Sequence, residues 1–104
     1  MSNHKNPVIA PSLLGADFSN LKKEINFCNN SNAKWLHLDI MDQQFVPNLS
    51  FGPSVVKDLR KHSDLFFDVH LMVSNPFDML LPFIKAGFSS TIHLYKFYFV
   101  LFII

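Results

Sequence analysis

The feature that most restricts the fold of this chain is a regular alternation of apolar runs with amphipathic segments. Four runs resemble buried strands, at residues 7–14, 35–41, 65–73 and from residue 90. Between them, residues 16–28, 53–62 and 75–88 repeat apolar residues at helical spacing. This order of strand and helix predicts an α/β fold whose parallel strands are joined by right-handed crossovers.

The helical segments also predict which side chains face the core. The first is expected to bury Phe18, Leu21, Ile25 and Cys28, and the third Phe77, Leu80, Leu81 and Ile84. Pro53 fits the first turn of the second helix. Pro82 lies inside the third segment and lacks a backbone donor, so we expect that helix to kink or restart there.

Polar residues interrupt the predicted strands at every second position. Because side chains alternate along a strand, the residues that share a face are Val8, Ala10 and Ser12, then His37, Asp39 and Met41, then Asp68, His70 and Met72, and finally Thr91 and His93. The opposite faces of the last three strands are mainly aliphatic, as expected for contact with helices. The pattern favours polar faces that converge in a barrel interior, with a flat sheet as the alternative.

A buried carboxylate at Asp39 requires a compensating partner. One candidate is a divalent cation bound by His37, Asp39 and His70, because imidazole and carboxylate groups suit Zn²⁺, Fe²⁺, Mn²⁺ or Co²⁺. The other is a hydrogen bond between histidine and aspartate without any metal, and spacing alone leaves both open. Met41 and Met72 then either form an apolar wall of a site or simply pack in the core.

Other polar residues have simpler interpretations at this stage. Asp68 is expected to cap or pair near the start of its strand, and His93 to be a satisfied interior histidine. Ser12 can hydrogen bond to its own backbone. His4 and His62 lie in polar surroundings and are expected at the surface.

Length and composition exclude several classes of protein. The chain has 104 residues and a net charge of +1, which suits at most one domain and does not indicate nucleic acid or a membrane as partner. Cys28 is the only cysteine, and no apolar stretch at the amino terminus suggests a signal peptide. We therefore expect a cytoplasmic protein.

Four stretches together resemble one known family in order and spacing. They are "IAPSLLGADFSNL", "HLDIMDQQFVPNLSFGP", "DVHLMVSNP" and "KAGFSSTIH". They are similar to the ribulose-phosphate 3-epimerases, over about residues 8–94. The resemblance implies an α/β fold that is part of a TIM (β/α)8 barrel, about its first four strands with three helices. Residues 1–6 would then be a polar lead-in, 7–94 the amino-terminal half of the barrel, and 95–104 an atypical apolar tail.

The resemblance also implies an activity and a set of residues. Members of the family interconvert D-ribulose 5-phosphate and D-xylulose 5-phosphate at C3 through an enediolate, in the pentose phosphate pathway, with one divalent metal. Zn²⁺ or Fe²⁺ is expected first, then Mn²⁺ or Co²⁺. The implied metal ligands are His37, Asp39 and His70. Asp39 would be one of two acid/base aspartates. Substrate would contact Ser12 and His70, and its reacting carbons would pack against Met41 and Met72.

The chain departs from the family pattern at two places. Gln43 stands where the family usually has glycine, and after His93 the sequence does not continue with the expected acidic residue. The second aspartate and the phosphate-binding loops would lie in a missing half, so we expect a truncated chain that is inactive alone and self-associates. The alternatives are an inactive fragment that at most binds metal or self-associates, or an epimerase for a related sugar such as allulose 6-phosphate.

Overall fold

The computed structural model of the protein describes residues 8–87. Within this range two short 3-10 turns, Leu13–Gly15 and Phe18–Asn20, lead into helix α1 (Leu21–Asn29). Strand β1 (Trp35–Met41), helix α2 (Pro53–Arg60), strand β2 (Phe66–Met72) and helix α3 (Pro76–Gly87) follow in that order. The predicted α/β class is confirmed.

The two strands are parallel neighbours, with Trp35 opposite Phe66 and each following residue in register through Met41 opposite Met72. Parallel strands need a crossover connection, and α2 lies in the segment that provides it. The register places Asp68 opposite His37 and His70 opposite Asp39. Both polar pairs therefore lie on one face of the sheet.

The other face of the sheet forms the core. Its side chains are almost fully buried: Leu36, Leu38, Ile40, Phe67, Val69 and Leu71. They form one cluster with residues of all three helices, namely Ile25, Val56, Leu59, Phe83 and Ala86. Burial of these side chains sets the orientation of the sheet, because the alternate, polar side chains must then point away from the helices.

The first predicted strand is not present as a strand within residues 8–14, where only one isolated bridge forms. Ser12 forms an isolated parallel bridge with His37, and the backbone N–H of His37 donates to the carbonyl of Pro11 at 2.9 Å. Val8 and Ile9 are exposed. The Ser12 hydroxyl accepts a hydrogen bond from the N–H of Leu14 and caps the following 3-10 turn, which ends the extended segment early. The fourth predicted strand, with Thr91 and His93, lies outside the described residues.

Helices α1 and α2 largely follow their predicted patterns. In α1, Ile25 is buried and Leu21 and Cys28 pack against the core, whereas Phe18 precedes the helix and is 43% exposed. Helix α2 begins with Pro53, as predicted. It buries Val56 and Leu59.

Helix α3 buries a different face from the predicted one. Of the predicted residues, Phe77, Leu81 and Ile84 are exposed and Leu80 is partly buried against the core, whereas Phe83 and Ala86 are buried. Because this helix is apolar on most sides, its spacing fits more than one stripe, and contact with α2 selects the buried one. The predicted restart is wrong, since one helix runs through Pro82. Pro82 is exposed. Its missing N–H costs least on this side of the helix, because water can bond the carbonyl that would otherwise accept from it.

Candidate metal centre

Three side chains of the polar face converge at one point between β1 and β2. Nε2 of His37 lies 3.0 Å from Oδ1 of Asp39, and Nδ1 of His70 lies 3.0 Å from the same oxygen. The two ring nitrogens are 3.4 Å apart. Alternation along β1 and the register with β2 produce this convergence. The predicted trio His37, Asp39 and His70 is therefore brought together.

The charges of this cluster are strongly coupled. Burial by itself would raise the pKa of Asp39, but hydrogen bonds from His37, His70 and Ser12 outweigh it and hold that pKa well below its ordinary value. Hydrogen bonds to Asp39 and Asp68 raise the pKa of His37 to about 9, against the opposing effect of burial. In the metal-free protein, His37 is therefore a cation between two carboxylates at neutral pH.

Two serines hold Asp39 from outside the histidine cluster. The hydroxyl of Ser12 donates to Oδ2 of Asp39 at 2.7 Å, so this predicted substrate contact lies beside the cluster. The hydroxyl of Ser50 donates to the backbone carbonyl of Asp39 at 2.6 Å and accepts from the N–H of Met41 at 2.9 Å. Both the carboxylate and the backbone of Asp39 are thereby fixed.

The two methionines predicted for the site lie at the carboxyl ends of their strands. Met41 and Met72 are opposite each other in the register. They lie two residues beyond Asp39 and His70, at the next position on the polar face. Met72 is buried and Met41 is partly buried. They give this end of the polar face an apolar boundary.

The donor set fits a divalent cation. Nitrogen and oxygen ligands lie about 2.0–2.2 Å from Zn²⁺, which places the ligands of one ion roughly 3.0–3.5 Å apart. The three separations of 3.0, 3.0 and 3.4 Å fall in this range. A hydrogen-bonded cluster that shares protons fits the same distances.

One nitrogen of the cluster lacks a partner within residues 8–87. Nε2 of His70 is buried and makes no hydrogen bond there. A buried polar atom without a partner usually indicates a further group, such as a water molecule or an ion. The contacts of His70 within the described residues are thus incomplete.

Asp68 belongs to this cluster although its sequence position suggested only capping or pairing. It lies inside β2, is 5% exposed, and its Oδ2 is 2.9 Å from Nδ1 of His37. The only sequence signal was its position two residues before His70 on the same face. The register that places it opposite His37 was needed to recognise the contact.

A second missed residue, Asp42, connects the loops that follow the two strands. Its Oδ1 accepts from the N–H groups of Gln44 and Phe45, and its Oδ2 accepts from the N–H of Ser74 after β2. Hydrogen bonds, that from Ser74 above all, hold the pKa of Asp42 below its ordinary value.

The remaining histidines do not join the cluster in the part of the chain that is described. His62 is exposed, as expected, and His4 and His93 lie outside residues 8–87.

No helix within residues 8–87 has the length and apolar character required to span a lipid bilayer.

Comparisons with known proteins agree with this picture. The model of the Ribulose-phosphate 3 epimerase family matches residues 8–98. A rice protein (Oryza sativa subsp. japonica) named ribulose-phosphate 3-epimerase, cytoplasmic isoform, is 51% identical over 87 residues, which are 83% of this chain and 38% of the rice protein. A Treponema pallidum protein named ribulose-phosphate 3-epimerase is 52% identical over 79 residues, 76% of this chain and 36% of that protein.

A third relative carries a different location in its name. The Arabidopsis thaliana protein named ribulose-5-phosphate-3-epimerase, chloroplastic, is 40% identical over 98 residues, 86% of this chain and 35% of that protein.

The chain thus spans little more than a third of the length of these relatives. Its parallel strands and crossover helix are consistent with part of a TIM barrel. The matches confirm the resemblance read from the motifs, and the chain belongs to the ribulose-phosphate 3-epimerase family.

Proposed function

We propose that this chain carries the metal-binding part of an enzyme that interconverts D-ribulose 5-phosphate and D-xylulose 5-phosphate at C3. The observation that supports this most is the convergence of His37, Asp39 and His70, whose facing atoms lie 3.0–3.4 Å apart in a member of the epimerase family. The small-molecule partner would be a sugar phosphate, and the pathway that of the pentose phosphates.

The residues have separate roles in this proposal. Epimerisation removes the C3 proton next to the C2 ketone and returns one to the opposite face, through an enediolate. Asp39 exchanges the proton on one side, and Ser12 orients its carboxylate. Met41 and Met72 pack against the reacting carbons. Protonation from the other side requires a second acid, and among residues 8–87 we assign only Asp39 to this chemistry.

His37, Asp39 and His70 would hold one divalent cation, Zn²⁺ or Fe²⁺ in the first place and Mn²⁺ or Co²⁺ as alternatives. The bound ion would supply a Lewis acid for the negative charge of the enediolate. Asp39 would stay ionised, because its pKa is held below the ordinary value by its hydrogen-bonding neighbours despite burial.

The first experiment measures metal binding. The full chain, freed of metal with a chelator, is titrated with Zn²⁺ or Co²⁺ in competition with a chromophoric chelator. We expect one ion per chain, and Asp39→Asn should weaken binding by more than the roughly 10–100-fold typical of outer-shell changes. Asp58→Asn is the matched control, because the Asp58 side chain is 77% exposed. Absence of binding, or equal affinity of Asp39→Asn and wild type, contradicts the proposal.

The second experiment separates an enzyme from a metal-binding fragment. The loaded chain is incubated with D-ribulose 5-phosphate in D₂O, and ¹H NMR follows loss of the C3 proton and formation of D-xylulose 5-phosphate. D-allulose 6-phosphate is assayed in parallel. Metal-dependent turnover supports the full proposal, whereas metal uptake without exchange at C3 supports the inactive fragment.

We also propose a cytoplasmic location. The support is the lone Cys28 and the rice relative named as a cytoplasmic isoform, although the Arabidopsis relative is named chloroplastic. Cell fractionation with an antibody against the chain tests this, and recovery in an organelle fraction would refute it.

A further inference from the structure

We propose that Asp68 is a positioning residue that fixes the tautomer and ring orientation of His37 for metal binding. Its carboxylate accepts a hydrogen bond from the N–H at Nδ1, so Nε2, which faces Asp39 and His70, is the nitrogen that loses its proton when an ion binds. This inference rests on the metal centre of the proposed function, and it concerns a residue outside the proposed ligand set.

The geometry restricts the His37 ring at both nitrogens. Oδ2 of Asp68 is 2.9 Å from Nδ1, and Oδ1 of Asp39 is 3.0 Å from Nε2. An ionised carboxylate only accepts hydrogen bonds, so the contact with Asp68 requires a proton on Nδ1. The metal-free ring is protonated at both nitrogens, and when an ion displaces one proton, the hydrogen bond to Asp68 retains the proton on Nδ1 and Nε2 binds the ion.

The position of Asp68 makes this orientation rigid. It lies in the interior of β2, directly opposite His37 in the register, and its neighbours Phe67 and Val69 are 1% and 3% exposed in the core. A strand fixed by two core side chains has little freedom to move the intervening carboxylate. Metal-binding histidines commonly donate their second ring N–H to such a carboxylate, which also makes the ligating nitrogen more basic.

An amide cannot replace the carboxylate without loss. In the Asp68→Asn variant the side chain would present either an oxygen or an NH₂ group to the ring, and the NH₂ group favours the tautomer with its proton on Nε2. That tautomer blocks the nitrogen that faces Asp39.

The experiment compares metal affinity across matched variants of the full chain. Zn²⁺ is titrated against a competing chelator with wild type, Asp68→Asn, Asp68→Glu and the exposed control Asp58→Asn. We expect Asp68→Asn to bind about 10–100-fold more weakly, Asp68→Glu to recover part of the loss, and Asp58→Asn to equal wild type. Equal affinity of Asp68→Asn and wild type overturns the inference.

A measurement on wild type keeps the inference testable if Asp68→Asn does not fold. Long-range ¹H–¹⁵N correlation of the Zn²⁺-loaded, ¹⁵N-labelled chain reports which His37 nitrogen is protonated and which binds metal. We expect a protonated Nδ1 and a metal-bound Nε2, and the opposite assignment overturns the inference. A merely structural role of Asp68 would not determine this assignment.

The two proposals fail in different ways. A wild-type chain that binds no Zn²⁺ overturns both the metal centre and the role of Asp68. A wild-type chain that binds Zn²⁺ through His37 Nδ1, or with undiminished affinity after Asp68→Asn, leaves the metal centre in place and overturns only the role of Asp68.

Discussion

His37 is held between two carboxylates, and this makes the stability of the metal-free protein dependent on pH. Hydrogen bonds to Asp39 and Asp68 raise its pKa to about 9 from an ordinary value of 6.5. A group whose pKa is raised by folding stabilises the folded state at any pH below its pKa in the unfolded chain. That contribution disappears as the pH rises through its pKa in the folded protein. The relevant window is therefore about pH 6.5 to 9.

The first prediction follows from this window. In EDTA, the urea midpoint of wild type should decrease between about pH 6.5 and 9, because deprotonated His37 leaves two neighbouring carboxylates uncompensated. His37→Gln should remove most of this decrease. Equal pH dependence of the variant and wild type would show that other groups cause it.

Gln43 has a backbone conformation that favours glycine. Its φ is 63°, in the left-handed region, and it is the only non-glycine residue with positive φ among residues 8–87. A side chain in this region introduces strain, which glycine avoids. Gln43 is also exposed, so its side chain offers little packing in return.

We therefore predict that Gln43→Gly increases the free energy of unfolding by about 0.5–1 kcal/mol. The neighbouring Gln44→Gly is the control. Gln44 is exposed but does not have positive φ, so glycine there should decrease stability by a similar amount. Urea denaturation measures both, and a loss of stability in both variants would contradict the assigned strain.

The resemblance to the family marked Gln43 as unusual. Alternation along the strands made His37, Asp39 and His70 a candidate set but left a metal-free hydrogen bond open, and the resemblance implied that they are metal ligands. The sequence did not identify Asp68 as a partner of His37. That contact depends on the register between two strands, and register is set by the burial of a whole face rather than by any local pattern.

The loops that follow β1 and β2 are joined by one side chain. Asp42 accepts hydrogen bonds from Gln44 and Phe45 in its own loop and from Ser74 in the other, at 2.8–2.9 Å. Both loops lie at the carboxyl ends of the strands, where TIM-barrel enzymes place their active sites. Asp42 therefore couples the two loops nearest the candidate centre.

We predict that Asp42→Ala accelerates amide hydrogen exchange at Ser74 and Phe45 several-fold, because both N–H groups lose their acceptor. Exchange at core amides such as Leu38 should change much less. The control is Asp58→Ala, whose exposed side chain contacts only Lys61 at the surface among the described ion pairs. Unchanged protection at Ser74 would contradict the coupling of the loops.

Among the elements, β1, β2 and the start of α2 were predictable, whereas the first predicted strand and the buried face of α3 were not. In α2 apolar and polar residues are well separated, and Pro53 marks the first turn. In α3 apolar residues surround most of the helix, so the buried side is selected by its neighbours in the fold. A predicted stripe through Phe77, Leu81 and Ile84 was equally compatible with the helical period.

The whole molecule places that apolar stripe on its surface. Phe77, Leu81 and Ile84 are 60%, 55% and 37% exposed and lie along one side of α3. Contiguous exposed apolar side chains commonly mediate protein association. The expectation of self-association thus remains a prediction, and this side of α3 is where it is best tested.

We predict concentration-dependent association of wild type in sedimentation velocity, and a shift toward monomer for Leu81→Lys. Leu49→Lys introduces the same charge at a leucine that is 68% exposed in the loop after β1, and it should leave association unchanged. A wild-type monomer at all concentrations, or equal effects of the two substitutions, would refute this interface.

The tilted contact between the rings of Trp35 and Phe66 gives the protein its own optical probe. The indole is the only one in the sequence, its ring centroid lies 4.5 Å from that of Phe66, and it is on the same face as His37, about 7 Å along the strand. Its fluorescence must respond when β1 and β2 slide apart, and an absorbing ion such as Co²⁺ beside His37 would quench it. The emission of one residue therefore reports both strand pairing and occupancy of the centre, without any added label.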